Sequence, residues 1–157
     1  NKDYFSMAQE EMFLDQTETK DIKLYIDSPG GSVKSGLSMI DVMNFVNSDI
    51  ITINTGMAAS MGSVLLGAGT KGKRFSLENS RVMLHQVSSG AQGNIQDIRI
   101  TLAEAEKYNT LLFDLLGGYC NKKPKDVMEF ASRDKWLDSG EALKYGIIDG
   151  LVEKLEK

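Results

Sequence analysis

The 157-residue chain reads as one α/β domain built on a mainly parallel sheet. Short apolar runs of strand length alternate with segments whose apolar residues recur every three or four positions, the pattern of helices laid across a parallel sheet. Glycine and proline fall between those segments rather than inside them, as expected of joins. No linker or internal repeat divides residues 1–157, and a chain of this length buries about two thirds of its unfolded surface around one core.

Taken in order, residues 4–15 set Phe5, Met12 and Phe13 among polar neighbours and predict a short amphipathic helix. Residues 23–27 form the first strand, which ends at the breaker cluster Ser28-Pro29-Gly30-Gly31. Val33, Leu37, Ile40, Met43 and Val46 share one face of a helix over residues 33–47. A strand follows at 50–54, then a turn at Thr55-Gly56. Residues 59–68 are small and apolar throughout, which predicts a helix buried on most sides and ended by Gly67 and Gly69. The run of Lys71 to Arg74 reads as a solvated turn. Residues 81–85 make a strand with Val82 and Leu84 on one face and Met83 and His85 on the other. The polar stretch 88–94 precedes the longest helix, 95–116, closed by Gly117-Gly118. Short helices at 126–131 and 139–145 and a strand at 147–152 complete the pattern.

Composition removes several classes of function. A net charge of −4 argues against a phosphate backbone as partner, because nucleic-acid binding draws on clustered Lys and Arg. The longest apolar runs are too short to span a bilayer, and the first residues carry acidic groups without the apolar stretch of a secretory signal. One cysteine and one histidine make neither an intrachain disulfide nor a zinc set. The expectation is a soluble protein of a reducing compartment, without metal or cofactor. Residues 31–36 contain two glycines but lack the spacing of a phosphate-binding loop.

Of fourteen serines, Ser60 stands out by context. It follows a strand and opens a helix within GMAASMG (residues 56–62), the strand, turn, helix arrangement of a nucleophile elbow. Ala58 occupies the first glycine of the common G-x-S-x-G pattern, and a serine at a helix start is also an ordinary N-cap, so both readings stand. A serine nucleophile needs a base, and His85, at the end of a strand, is the one histidine available. With twelve Asp and ten Glu, spacing does not select a third member. The Met61 amide is a natural oxyanion donor, and Gly31 a second, since glycine lets backbone approach a substrate closely. Cys120 lies in a loop context without a base beside it.

The segments YIDSPGG (25–31), GMAASMG (56–62), KGKRF (71–75), NSRVMLHQ (79–86), Arg133-Asp134 and EALKYGIID (141–149) resemble, in order and spacing, those of the ClpP family of caseinolytic protease subunits. The resemblance spans nearly the whole chain. It implies a crotonase-like fold with a protruding helical handle, here about residues 88–117. It also implies Ser60 as nucleophile, His85 as general base, Asp134 as orienting acid, and Gly31 and Met61 as oxyanion donors. Two heptameric rings stacked around a chamber, extended substrate added as a strand beside residues 88–93, and feeding by an AAA+ unfoldase such as ClpX, ClpA or ClpC follow from the same resemblance. ATP would be used by that unfoldase and not by this subunit. Tyr25, Phe45 and Phe75 fall at positions resembling the unfoldase docking surface. The implied location is the bacterial cytoplasm, or an organelle matrix or stroma. Two departures are visible: the family's N-terminal axial-loop segment has no counterpart among these residues, and Val87 with Ser88-Ser89 stands where the family has proline and glycine-rich residues.

Overall fold

A computed structural model describes residues 20–152. The amphipathic helix expected over residues 4–15 lies outside them. Six strands and five helices follow in the order β1 (Ile22–Ser28), α1 (Val33–Phe45), β2 (Ile50–Ala59), α2 (Met61–Gly67), β3 (Arg74–Leu77), β4 (Arg81–Leu84), α3 (Ile95–Cys120), α4 (Pro124–Phe130), β5 (Lys135–Asp138), α5 (Ser139–Tyr145) and β6 (Gly150–Val152). The sheet runs β5-β4-β2-β3-β6, with β1 on the other edge of β2. Every pairing is parallel except β4 with β5. The predicted α/β class and mainly parallel sheet are what the chain adopts.

The strand predicted to stop at Asn54 continues to Ala59, so Thr55-Gly56 is not a turn. Here β2 changes neighbour: Thr52 to Asn54 pair with β3, and Met57 to Ala59 pair with β4. The change requires local distortion. Ile26 pairs with Asn54 and Ser28 with Ala58, so β2 advances four residues while β1 advances two. Side chains stitch the distorted stretch. Asn54, fully buried, donates through Nδ2 to the Arg81 carbonyl and accepts the Gly56 amide on Oδ1. Asp27 Oδ1 accepts the Met57 amide at 3.0 Å, and a Cβ on Gly56 would stand 2.7 Å from that same oxygen. Gly56 is therefore there to make room for a carboxylate.

Two strands escape the periodicity reading, and both are short. In β3 the alternation is inverted: Arg74 and Ser76 point into the protein, while Phe75 and Leu77 lie half-exposed. Arg74, 1% exposed, does not belong to a solvated turn. It makes a bidentate pair with Asp149, Nε to Oδ2 at 2.7 Å and Nη2 to Oδ1 at 2.6 Å, and donates to the Tyr119 carbonyl. Lys73 bridges Asp21 and Asp49. Burial pushes the Asp149 carboxyl up, but the Arg74 hydrogen bond and charge, with the amides of Gly72 and Arg74, outweigh it and hold it below the usual carboxylate range.

The longest helix is α3, and it runs through Gly117-Gly118 to Cys120, where Asn121 in the left-handed conformation (φ 54°) caps it. A Cβ on Gly117 would meet the Lys122 carbonyl at 2.9 Å, so that glycine serves close packing instead of ending the helix. Its last third enters the core through Leu112, Phe113, Leu116 and Cys120. Its first ten residues are exposed, with Ile95, Ile100 and Leu102 more than half so. Among the described residues, no helix is long and apolar enough to cross a membrane.

Candidate active site

Three neighbouring strands bring the candidate catalytic side chains to one end of the sheet. Ala59 pairs with Met83 at the parallel junction of β2 and β4, and Leu84 pairs with Lys135 at the antiparallel junction of β4 and β5. Ser60 and His85 thus lie just past the carboxyl ends of β2 and β4, and Asp134 just before the amino end of β5. Residues dispersed over 75 positions of sequence meet because of this register.

Ser60 is the residue between β2 and α2, with φ 55° and ψ −123°. A non-glycine residue there stores about 1–3 kcal/mol of strain and is held by its surroundings. Its amide donates to the Met83 carbonyl at 2.9 Å, and its carbonyl accepts the Ser63 amide and, at 2.6 Å, the Ser63 hydroxyl. Its own hydroxyl makes no capping bond. That removes the N-cap reading. Instead Oγ lies 2.7 Å from His85 Nε2.

His85 Nδ1 lies 3.2 Å from Asp134 Oδ1. A carboxylate only accepts, so Nδ1 carries the proton, and Nε2 is left as acceptor for the Ser60 O–H. Asp134 is 66% exposed and His85 22%. The contact to Asp134 is longer and more exposed than the Ser60 contact.

Gly31, Ser60, Met61 and His85 line one cleft, floored by Val64, Leu112 and Phe113. The backbone that brings Gly31 there depends on Gly30, which the sequence marks only as a member of the breaker cluster after the first strand. Gly30 has φ 97°, and a Cβ on it would lie 2.7 Å from Ser60 Cβ and 2.8 Å from the Ala59 carbonyl oxygen. The Gly-Gly doublet was the available signal. Met61 is buried against α1 at Gly36, where any side chain would collide with it. This contact fixes the start of α2 and with it the Met61 amide.

Tyr25, Ile53, Phe75 and Gly150 form a row across β1, β2, β3 and β6, upstream of Gly31 and Ser60 along β1 and β2. Tyr25 is 51% exposed, and Phe45, at the end of α1, 69%. Cys120 is buried, and desolvation pushes its thiol up to about 11, which keeps it neutral. Among the described residues, no three His, Cys, Asp or Glu side chains converge as metal ligands.

A family model described as Clp protease matches residues 3–155. The chain is 45% identical over 147 residues to the ATP-dependent Clp protease proteolytic subunit of Porphyromonas gingivalis, covering 93% of this chain and 66% of that protein. It is 47% identical over 144 residues to the protein of the same name from Bacteroides fragilis strain ATCC 25285, covering 91% and 70% respectively. The chain spans about two thirds of the length of these relatives.

Proposed function

Because this chain belongs to the Clp protease family, we propose that it is a serine endopeptidase subunit with Ser60 as nucleophile. The single observation that carries the reading is the 2.7 Å approach of Ser60 Oγ to His85 Nε2 from a strained elbow in which the hydroxyl has no capping duty. Ser60 Oγ attacks the scissile carbonyl while His85 Nε2 takes its proton and then passes that proton to the leaving amine. Asp134 holds the imidazole in the required tautomer. The amides of Gly31 and Met61 receive the developing oxyanion, each donor being worth about 3–4 kcal/mol. Water, deprotonated by the same imidazole, releases the acyl group and restores Ser60.

The substrate is an extended polypeptide. It lies beside residues 88–93, with backbone hydrogen bonds supplying affinity at little cost in sequence demand. A groove of about 460 Å³ continues from the cleft between Ser32–Lys34, Val87–Ser89 and Ile100–Tyr108, and gives it a path along α3. The exposed apolar residues on the first half of α3 suit a handle contact between two stacked heptameric rings. A closed chamber excludes folded proteins, so an AAA+ unfoldase of the ClpX, ClpA or ClpC kind delivers chains and consumes the ATP. Tyr25, Phe45 and Phe75 supply the surface on which it docks, and the bacterial cytoplasm is the compartment that suits a chain with one buried thiol.

The test is mass mapping after treatment with a fluorophosphonate probe. Labelling confined to Ser60 and lost in His85→Ala is the expected result. A Ser60→Ala protein that cleaves short peptides at the unmodified rate would overturn the reading.

A further inference from the structure

We propose that Asn109 is a positioning residue for the catalytic cleft, clamping the Val87 amide and so fixing the segment that follows His85 against α3. The inference rests on the peptidase reading above and deepens it. Asn109 Oδ1 accepts the Val87 N–H at 3.0 Å across 22 residues of sequence. Both residues line the same cleft as Ser60 and His85.

The need for a clamp follows from the chain around it. Regular structure stops at Leu84 and resumes at Ile95, so residues 85–94 have no ladder to set their position. His85 is two residues before Val87, about 7 Å along extended backbone, so a shift at Val87 reaches the imidazole. Downstream, the same segment lines the groove assigned above to the substrate strand.

The identity of residue 87 makes the bond possible. Where the resembled family has proline, Val87 offers an N–H, and its φ is free. A proline is rigid without a partner. A valine at the edge of a cleft needs its donor satisfied, and Asn109 does so from a helix. Position 109 is also the last turn of α3 before the helix enters the core at Leu112, since residues 95–104 are exposed. The clamp therefore joins the base-bearing segment to the root of the projecting helix.

The experiment is a double-mutant cycle with Asn109→Ala and Val87→Pro, read by kcat and KM on an extended fluorogenic peptide and by hydrogen exchange of the Val87 amide. One neutral hydrogen bond corresponds to a loss of about five- to tenfold in kcat/KM for Asn109→Ala. In the Val87→Pro background the same substitution should change kcat/KM by less than about twofold, because no N–H remains to be held. Asn109→Asp keeps the acceptor and should restore both activity and exchange protection. Equal losses in the two backgrounds, or an Asn109→Ala protein with unmodified kinetics and Val87 exchange, would overturn the proposal. Exchange distinguishes the two readings. If Ser60 proves unreactive, the peptidase reading falls, while loss of Val87 protection in Asn109→Ala still reports the clamp.

Discussion

Substituting Gly30 by alanine should disable Ser60 without touching it. The added Cβ would stand 2.7 Å from Ser60 Cβ, 2.8 Å from the Ala59 oxygen and 3.0 Å from the Met61 nitrogen, against ordinary contacts of 3.4 Å or more. The nearest contact is thus about 0.7 Å too short, and these atoms belong to backbone and Cβ, which no rotamer change can move aside. Either β2 and α2 separate or the Gly30 loop retreats, and both change the distance between Ser60 Oγ and the amides of Gly31 and Met61. Misplacement of about 1 Å costs on the order of 10²-fold in rate. The left-handed φ of 97° adds about 1–2 kcal/mol of strain, and overpacking about 1–3 kcal/mol more. Gly72→Ala separates the two terms. Gly72 has φ 87° but nothing within 4 Å of the added Cβ, so only strain applies, far from the cleft. Fluorophosphonate labelling rates and urea midpoints on the three proteins provide the assay. A loss of about 10²-fold in labelling for Gly30→Ala, with Gly72→Ala unchanged in labelling but about 1–2 kcal/mol less stable, is expected. A Gly30→Ala protein labelled within about threefold of the unmodified rate would refute the steric argument.

Asp149→Asn leaves the 1%-exposed Arg74 guanidinium without its countercharge and should cost about 3 kcal/mol of stability near neutral pH. Because the folded carboxyl titrates below its unfolded value, its contribution is complete above the ordinary carboxylate range and disappears as pH falls through the lowered value. Urea unfolding should therefore show the two proteins converging in acid, and an equal gap at neutral and strongly acidic pH would contradict the pairing. Tyr25→Ala and Phe75→Ala should reduce unfoldase-driven degradation at least about tenfold more than cleavage of short peptides. Equal effects on both would remove the docking role from that row.

The helical part of the fold was legible because its signal is redundant: α1 has four apolar positions in phase, Val33, Leu37, Ile40 and Met43, with Val46 at its C-cap. The short strands carried no such signal. The sequence RFSL at β3 places its charged and hydroxyl side chains inward, where Asp149 and carbonyl groups receive them, so hydropathy pointed the wrong way. Gly56 looked like a turn because glycine more often frees a backbone than vacates space for a neighbour's carboxylate. For the site, Ser60 and His85 were legible in kind from residue type and position after strands. Asp134 was not, since its place depends on the antiparallel return of β5, which is a matter of topology. Asn109 lay beyond reach for the same reason, its partner being 22 residues away on an irregular segment.

The three strands under the site are not equally secure, which sets an order of failure. Ser60 and His85 directly follow β2 and β4, which are interior to the sheet, and the Ser60 amide itself donates to β4. Asp134 precedes a four-residue strand at the margin, where fraying begins and costs least. On warming, the acid would detach first and leave a serine and an imidazole still in register. The molecule would pass through a folded, dimmed state before it melted, and the temperature at which turnover fades would lie below the one at which the sheet comes apart.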